Sequence, residues 1–283
     1  MLHVTNGDAA VPMLQQAVQG EMLPWRDVLH EGPVRAGLGL DELSRERAAF
    51  IAGCGWSPLS SVTHDFEERD RKLKAASSHE EVVLWFEHDL YDQLQLIQLL
   101  DHFAAHGHAR LTLVCEAEYL GHMAPARAAE LFMRRSRVTD AQLAEGRAAW
   151  AAFTAPDPLA LQRVPCSHLR FLGAALRRHL EEFPWVGDGL SRTERAVLRS
   201  LPAGFAEIFK AIREDPAYLG DTVLGWHLER MQREGLIDRE GDVWRAIARP
   251  ERLREPRWLG GVRVTESSPW CWDPARGEVR ALR

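Results

Sequence analysis

The feature that most constrains this chain is the unbroken apolar run Val82-Val83-Leu84-Trp85-Phe86. Such a run leaves no face for water, so it reads as a strand buried on both sides, as in a parallel sheet covered by helices. Glu87, His88 and Asp89 follow at once, and then a long helical pattern from Leu90 to His106. Leu111-Thr112-Leu113-Val114-Cys115 reads as another buried strand. Leu2-His3-Val4-Thr5 is a short first strand, followed by the turn Asn6-Gly7-Asp8 and a helix from Ala9 to Gln19 with Pro12 in its first turn. Trp25 to Leu29 reads as a second strand ending in His30-Glu31-Gly32-Pro33, and Asp41 to Ala52 and Asp65 to Ala76 as helices. Strand–helix alternation of this kind predicts an α/β domain, Rossmann-like, with a parallel sheet over residues 1–120.

The rest of the chain changes character. Ala124 to Phe153 reads as two helices broken near Ser136–Thr139, and Ser167 to Phe183 as an amphipathic helix with an arginine face, so 121–190 is a helical linker region. Ser191-Arg192-Thr193-Glu194 is a capping box opening a helix. Helical patterns follow over Gly204 to Glu214 and Leu219 to Glu234, the last stopped by Gly235. Then come Leu236-Ile237, a polar turn and Val243 to Ile247. Three helices followed by a hairpin predict a winged-helix-like domain over 191–283, ending in a tail rich in tryptophan (Trp258, Trp270, Trp272).

Charge narrows the partners. Residues 1–120 carry 19 acidic and 9 basic residues, a net of −10; residues 121–283 carry 22 and 26, a net of +4; together they give −6. An acidic first part repels a phosphate backbone. The third helix of the winged-helix candidate sets Arg230 and Arg233 against Asp221, Glu229 and Glu234, and its Arg230, Gln232 and Arg233 lie far from the end that reads bases. Sequence-specific nucleic acid is therefore not an expected partner. No apolar run is long enough to span a membrane, and the first residues have neither the basic lead nor the apolar segment of a secretory signal. Four scattered cysteines without a Cys-x-x-Cys pair fit a reducing cytoplasm.

Chemistry is expected beyond the carboxyl ends of the strands. The first strand delivers Asn6, Gly7 and Asp8, the second His30, Glu31 and Gly32, the third Glu87, His88 and Asp89, and the fourth Glu116 and Glu118. Converging carboxylates attract a divalent metal and shift one another's pKa, which suits acid–base work. Asp8, Glu31, Glu87 and His88 are the candidate catalytic groups. Asn6, Gly7, His30, Gly32, Asp89 and Gln93 are candidate ligand contacts, and Asp8, Glu87 and Asp89 candidate metal ligands. Asp8 and Asp89 each precede a helix, where Asp is also a preferred cap, and Asp92 completes a cap-like spacing after Asp89. His102, His106 and His108 read as solvated helix-end residues. No Gly-x-Gly-x-x-Gly, Walker loop, His-Glu-x-x-His or Gly-x-Ser-x-Gly is present in the sequence.

Val82 to Gln93, with its Trp-Phe-Glu-His-Asp segment, resembles the signature of the bacterial domain-of-unknown-function 1835 family. His3, Gly7-Asp8 and Gly32-Pro33 are similar to its opening segment, and Ser191 to Glu194 and Gly220-Asp221 to the helical domain that follows it. The resemblance implies an α/β domain followed by a mainly helical one and supplies no reaction. The expectation is a cytoplasmic hydrolase or group transferase, metal-assisted, acting on a small-molecule ligand in a carboxylate-lined crevice. Its rival is a ligand-sensing regulator or adaptor whose winged-helix-like part binds protein or DNA.

Overall fold

The structure is a computed structural model and describes residues 1–107, 110–213, 219–248 and 254–282. Strand β1 (Leu2–Thr5) leads through a 3-10 turn at Asp8–Ala10 into helix α1 (Val11–Ala17). Strands β2 (Glu21–Pro24) and β3 (Gly32–Pro33) precede helices α2 (Leu40–Gly53) and α3 (Leu59–Lys74). The apolar run forms β4 (Val82–Glu87), buried along its whole length, and is followed by α4 (Leu90–His106), β5 (Leu111–Glu116) and α5 (Pro125–Arg134). Then come β6 (Ser136–Arg137), α6 (Asp140–Thr154), α7 (Pro158–Leu161), α8 (Leu172–Leu180) and α9 (Arg192–Ser200). The chain continues through β7 (Ala203–Gly204), α10 (Phe205–Arg213), α11 (Asp221–Arg233) and the hairpin β8 (Ile237–Glu240) and β9 (Val243–Ala246). It closes with β10 (Arg257–Gly260), β11 (Val262–Val264), β12 (Trp270–Asp273) and β13 (Glu278–Ala281). His108 and Glu214 lie outside the described residues.

The molecule is mixed α/β. Its main sheet has the order β2-β1-β4-β5-β6, parallel throughout except for the short edge strand β6. The carboxyl ends of β1, β2, β4 and β5 therefore share one edge. The expected second strand, Trp25 to Leu29, is not a strand: β2 ends at Pro24, and the segment beyond it runs irregularly to β3. The reason is the ladder itself, because β1 is only four residues long and offers β2 partners from Glu21 to Pro24. The break expected near Ser136–Thr139 contains β6, and Thr139 with Gln142 forms the capping box of α6. The Ser191–Glu194 capping box is present at the start of α9.

One hydrophobic core runs from Leu2 in β1 to Val279 in β13, so the tail packs on the first half of the chain. Strand β10 pairs in parallel with β3, and Val186 N donates to Trp272 O. A second core gathers α9, α10, α11 and the small sheet β7-β9-β8. Helix α6 lies tightly across α4 at Gly146, where an added Cβ would sit 2.6 Å from Leu100 Cβ. No helix among the described residues is long and apolar enough to cross a membrane.

The irregular connection from Trp25 to Glu31 carries backbone carbonyls without ladder N–H groups to donate to them. Arg47 of α2 meets that need. Its fully buried guanidinium donates to the carbonyls of Val28 (2.8 Å), Glu31 (2.6 Å) and Pro33 (3.4 Å) and to Asp27 Oδ1 (2.9 Å). Arg69 backs Asp27 at 3.9 Å and donates to Trp25 O, Asp70 and Ser44. Arg47→Met should therefore cost about 3–5 kcal/mol in urea unfolding, since it strips the buried Asp27 of its nearest cation and removes a donor from the carbonyls of Glu31 and Pro33. A loss below about 1 kcal/mol would mean that the connection holds itself in place.

Candidate functional site

Strand β4 is central and buried on both faces, so the residues at its end are held rigidly. There the chain turns from Glu87 through His88 and Asp89 into α4. Three carboxylates meet at this turn: Glu87, Asp89 and Asp92 each present an oxygen, all within 4.8 Å of one another, and all three residues are buried.

The turn is built by backbone hydrogen bonds. Asp89 caps α4 by accepting from Asp92 N at 3.0 Å, while Asp92 Oδ1 reaches back to accept from Glu87 N at 2.7 Å. Glu87 Oε1 accepts from Leu120 N at 2.7 Å. Asn6, at the end of β1, spans the cluster: its Nδ2 donates to Glu87 Oε1 (3.2 Å) and Asp92 Oδ2 (3.0 Å). Tyr91 OH donates to Asn6 O at 3.1 Å and fixes that residue. Gln93 Nε2 donates to Glu87 O at 2.6 Å and touches Cys115 Sγ at 3.4 Å.

These donors are neutral. Among the described residues no arginine or lysine pairs with any of the three carboxylates. Burial and the nearby Asp89 push Glu87 up to about 7. Burial also raises Asp89, and Asp92 rises well above the ordinary range through burial and its two acidic neighbours. Crowded carboxylates out of water hold their charge only at a cost, so the arrangement favours their protonated forms. Cys115 beside it is no thiolate, because burial pushes its thiol up to about 12.

The structure brings Asn6, Glu87, Asp89 and Gln93 together, and with them Asp92, which the sequence marked only as a capping residue. Asp8 stands on the same sheet edge but outside this cluster. Its exposed carboxylate is bound bidentately by Arg26 at 2.7 Å, which supports Arg26 in its left-handed backbone conformation. Gly7 only precedes the 3-10 turn. Glu31 is not at a strand end of the main sheet. It is buried and bonds His227 Nε2 of α11 at 2.8 Å. His30 is buried with neither ring nitrogen bonded, and burial lowers it to about 4, so it is neutral. Gly32 serves the backbone: its φ is +80°, and a Cβ there would lie 2.4 Å from the Phe50 ring. His88 is half-buried against Tyr119 and Phe171, and its Nδ1 has no partner. Glu116 faces Glu87 across the β4–β5 ladder, and Glu118 is held by Arg127. His102 and His106 stack on each other at 4.4 Å near the end of α4.

No protein-family model matches the chain, and no curated protein matches it. The chemistry of the site therefore rests on its geometry.

Glu87→Gln keeps the oxygen that accepts from both Leu120 N and Asn6 and removes one charge. A carboxyl raised on folding stabilises the fold when protonated, and that contribution is lost as pH rises from the unfolded value near 4.5 through about 7. In a chelating buffer, Glu87→Gln should gain on the wild type between pH 5 and pH 8 by on the order of 2 kcal/mol. A variant that melts lower than the wild type by the same amount at both pH values would show Glu87 to be a purely structural carboxylate.

Proposed function

We propose that this chain is a metal-assisted hydrolase or group transferase acting on a small molecule at the carboxyl edge of a Rossmann-like sheet. One observation carries the reading: three buried carboxylates lie within 4.8 Å of one another, and among the described residues no arginine or lysine pairs with them. Two oxygens on opposite sides of a calcium-sized ion are about 4.6–5.2 Å apart, so the spacing suits a divalent cation. Glu87, Asp89 and Asp92 would hold it, with Asn6 fixing two of them. Such an ion polarises the substrate or activates a water. His88, half-buried with an unpartnered Nδ1, would carry the proton. Membership of the domain-of-unknown-function 1835 family belongs to the same proposal and adds no reaction to it.

A second reading, a ligand-sensing regulator, draws on the bond between Glu31 and His227. The order α9, β7, α10, α11, β8, β9 supports a winged-helix-like part. The buried Glu31–His227 contact would carry a change in the β2–α2 connection into α11. The solvent face of α11, with Asp221, Glu229, Gln232 and Arg233, is not cationic, so duplex DNA is not the partner this reading favours.

Calorimetric titration of the full chain with Mn²⁺ tests the first reading. Saturable binding should fall at least roughly tenfold in Asp92→Asn and be unchanged in Asp8→Asn. A wild type without saturable binding, or an Asp92→Asn protein that binds as well, would remove the metal from the proposal.

A further inference from the structure

Beside the carboxylate cluster lies a cavity of about 430 Å³ between β5, α5 and the segment before α8. It sits at the carboxyl end of β5, where open α/β sheets take their ligands. Strand β6 pairs only with Thr112 and Leu113 of β5, so β5 has no neighbour on that side from Val114 to Glu116 among the described residues. The volume falls within the range of small-molecule sites and exceeds what a lone inorganic ion fills.

The lining is cationic in a chain whose net charge is −6. Arg127, Arg134, Arg135 and Arg170 all border the cavity, against the single carboxylate Glu116. Two of these arginines are already committed. Arg135 forms a two-pronged pair with Glu81 (2.6 and 2.9 Å), and Arg127 is shared by Glu118 and Glu130. Arg134 and Arg170 have no carboxylate partner among the described residues; Arg170 only lies over the Phe171 ring, at 4.8 Å. Two uncommitted guanidiniums bordering one cavity, one from α5 and one from the segment before α8, present two positive charges and planar donor forks, the match for a dianionic phosphoryl group. A carboxylate would leave one of them unneutralised. Gln93 ties the cavity to the cluster, because it lines the wall, donates to Glu87 O, and keeps a buried Oε1 without a partner.

We propose that this cavity binds a small phosphorylated molecule, with Arg134 and Arg170 holding the phosphoryl group and Gln93 facing the remainder. The proposal names the substrate class for the site proposed above, and rests on that reading only for what is done to the ligand. The phosphoryl group enters on the β5 side, next to the end of β4.

The test is calorimetric titration of the full chain with inorganic phosphate, and separately with acetate at equal ionic strength. The proteins are the wild type, the double variant Arg134→Ala/Arg170→Ala and Asp92→Asn. Both arginines are exposed, so the double variant should melt as the wild type does. Phosphate should bind the wild type saturably, at least roughly tenfold tighter than acetate. The double variant should lose that binding while still binding Mn²⁺ as the wild type does. Absent phosphate binding, equal binding in the double variant, or acetate binding as tightly as phosphate would each overturn the proposal. Failure of the metal reading shows separately, as a wild type that binds phosphate but not Mn²⁺, or as an Asp92→Asn protein that binds Mn²⁺ as well as the wild type does.

Discussion

Arg47 is the side chain on which the arrangement of this molecule turns. The main sheet leaves β2 at Pro24, and the chain then crosses its carboxyl edge to β3 without regular structure. Irregular backbone in an interior survives only where donors reach its carbonyls. One buried guanidinium on α2 supplies three of those bonds and neutralises Asp27 as well. With the connection fixed, Glu31 stands where His227 of α11 can meet it, and Gly32 and Pro33 stand where β10 can pair with them. The second core is thereby joined to the first through a bond whose position is set by a residue outside both partners.

The buried charges fall into two kinds, and the contrast separates architecture from chemistry. Around α11 the charges are matched. His227 meets Glu31, Arg230 pairs with Glu194 and Glu234, and Arg178 with Glu182. Burial would be prohibitive without these partners, and removing one of a pair strands the other. At the end of β4 the charges are alike, and only neutral amides answer them. A fold gains nothing from carboxylates it must hold together against repulsion, and local rules of this kind are broken where a ligand or a reaction makes use of the strain.

Much of this was legible in the sequence. The apolar run of β4 and the Glu-His-Asp that ends it placed the strand and the junction, because a two-sided buried strand leaves no ambiguity of face. Asp89 as a cap and the Ser191–Glu194 box were legible for the same local reason. The second strand is not where the pattern puts it because Trp25 and Leu29, spaced as inward-facing strand residues are, serve the core without any ladder. The expected convergence of Asp8 and Glu31 with Glu87 does not occur, since each has a long-range partner, Arg26 and His227, that no spacing reveals. Asp92 lay in view as a helix first-turn residue. What no local pattern gives is that its carboxylate folds back to Glu87 N. The arginine cavity was hidden for the same reason, because Arg134 and Arg170 come from segments that only the packing of α5 and the α7–α8 connection brings to one cavity.

The placement of these features has a common logic. The buried side of α11 carries His227 and Arg230 toward the rest of the molecule, so its basic groups are spent on internal pairs. Arg134 and Arg170, without carboxylate partners among the described residues, stand instead on the sheet edge, on the β5 side of the carboxylates. Opposite charges set side by side and kept from neutralising each other make a field across a small volume, strongest where water is scarce. Gln93 lies between them, with its amide nitrogen on Glu87 O and its oxygen unsatisfied. Along this one sheet edge the imbalance has both signs, buried carboxylates beside exposed guanidiniums, which is what a ligand carrying an anionic group and meeting a bound cation would complete.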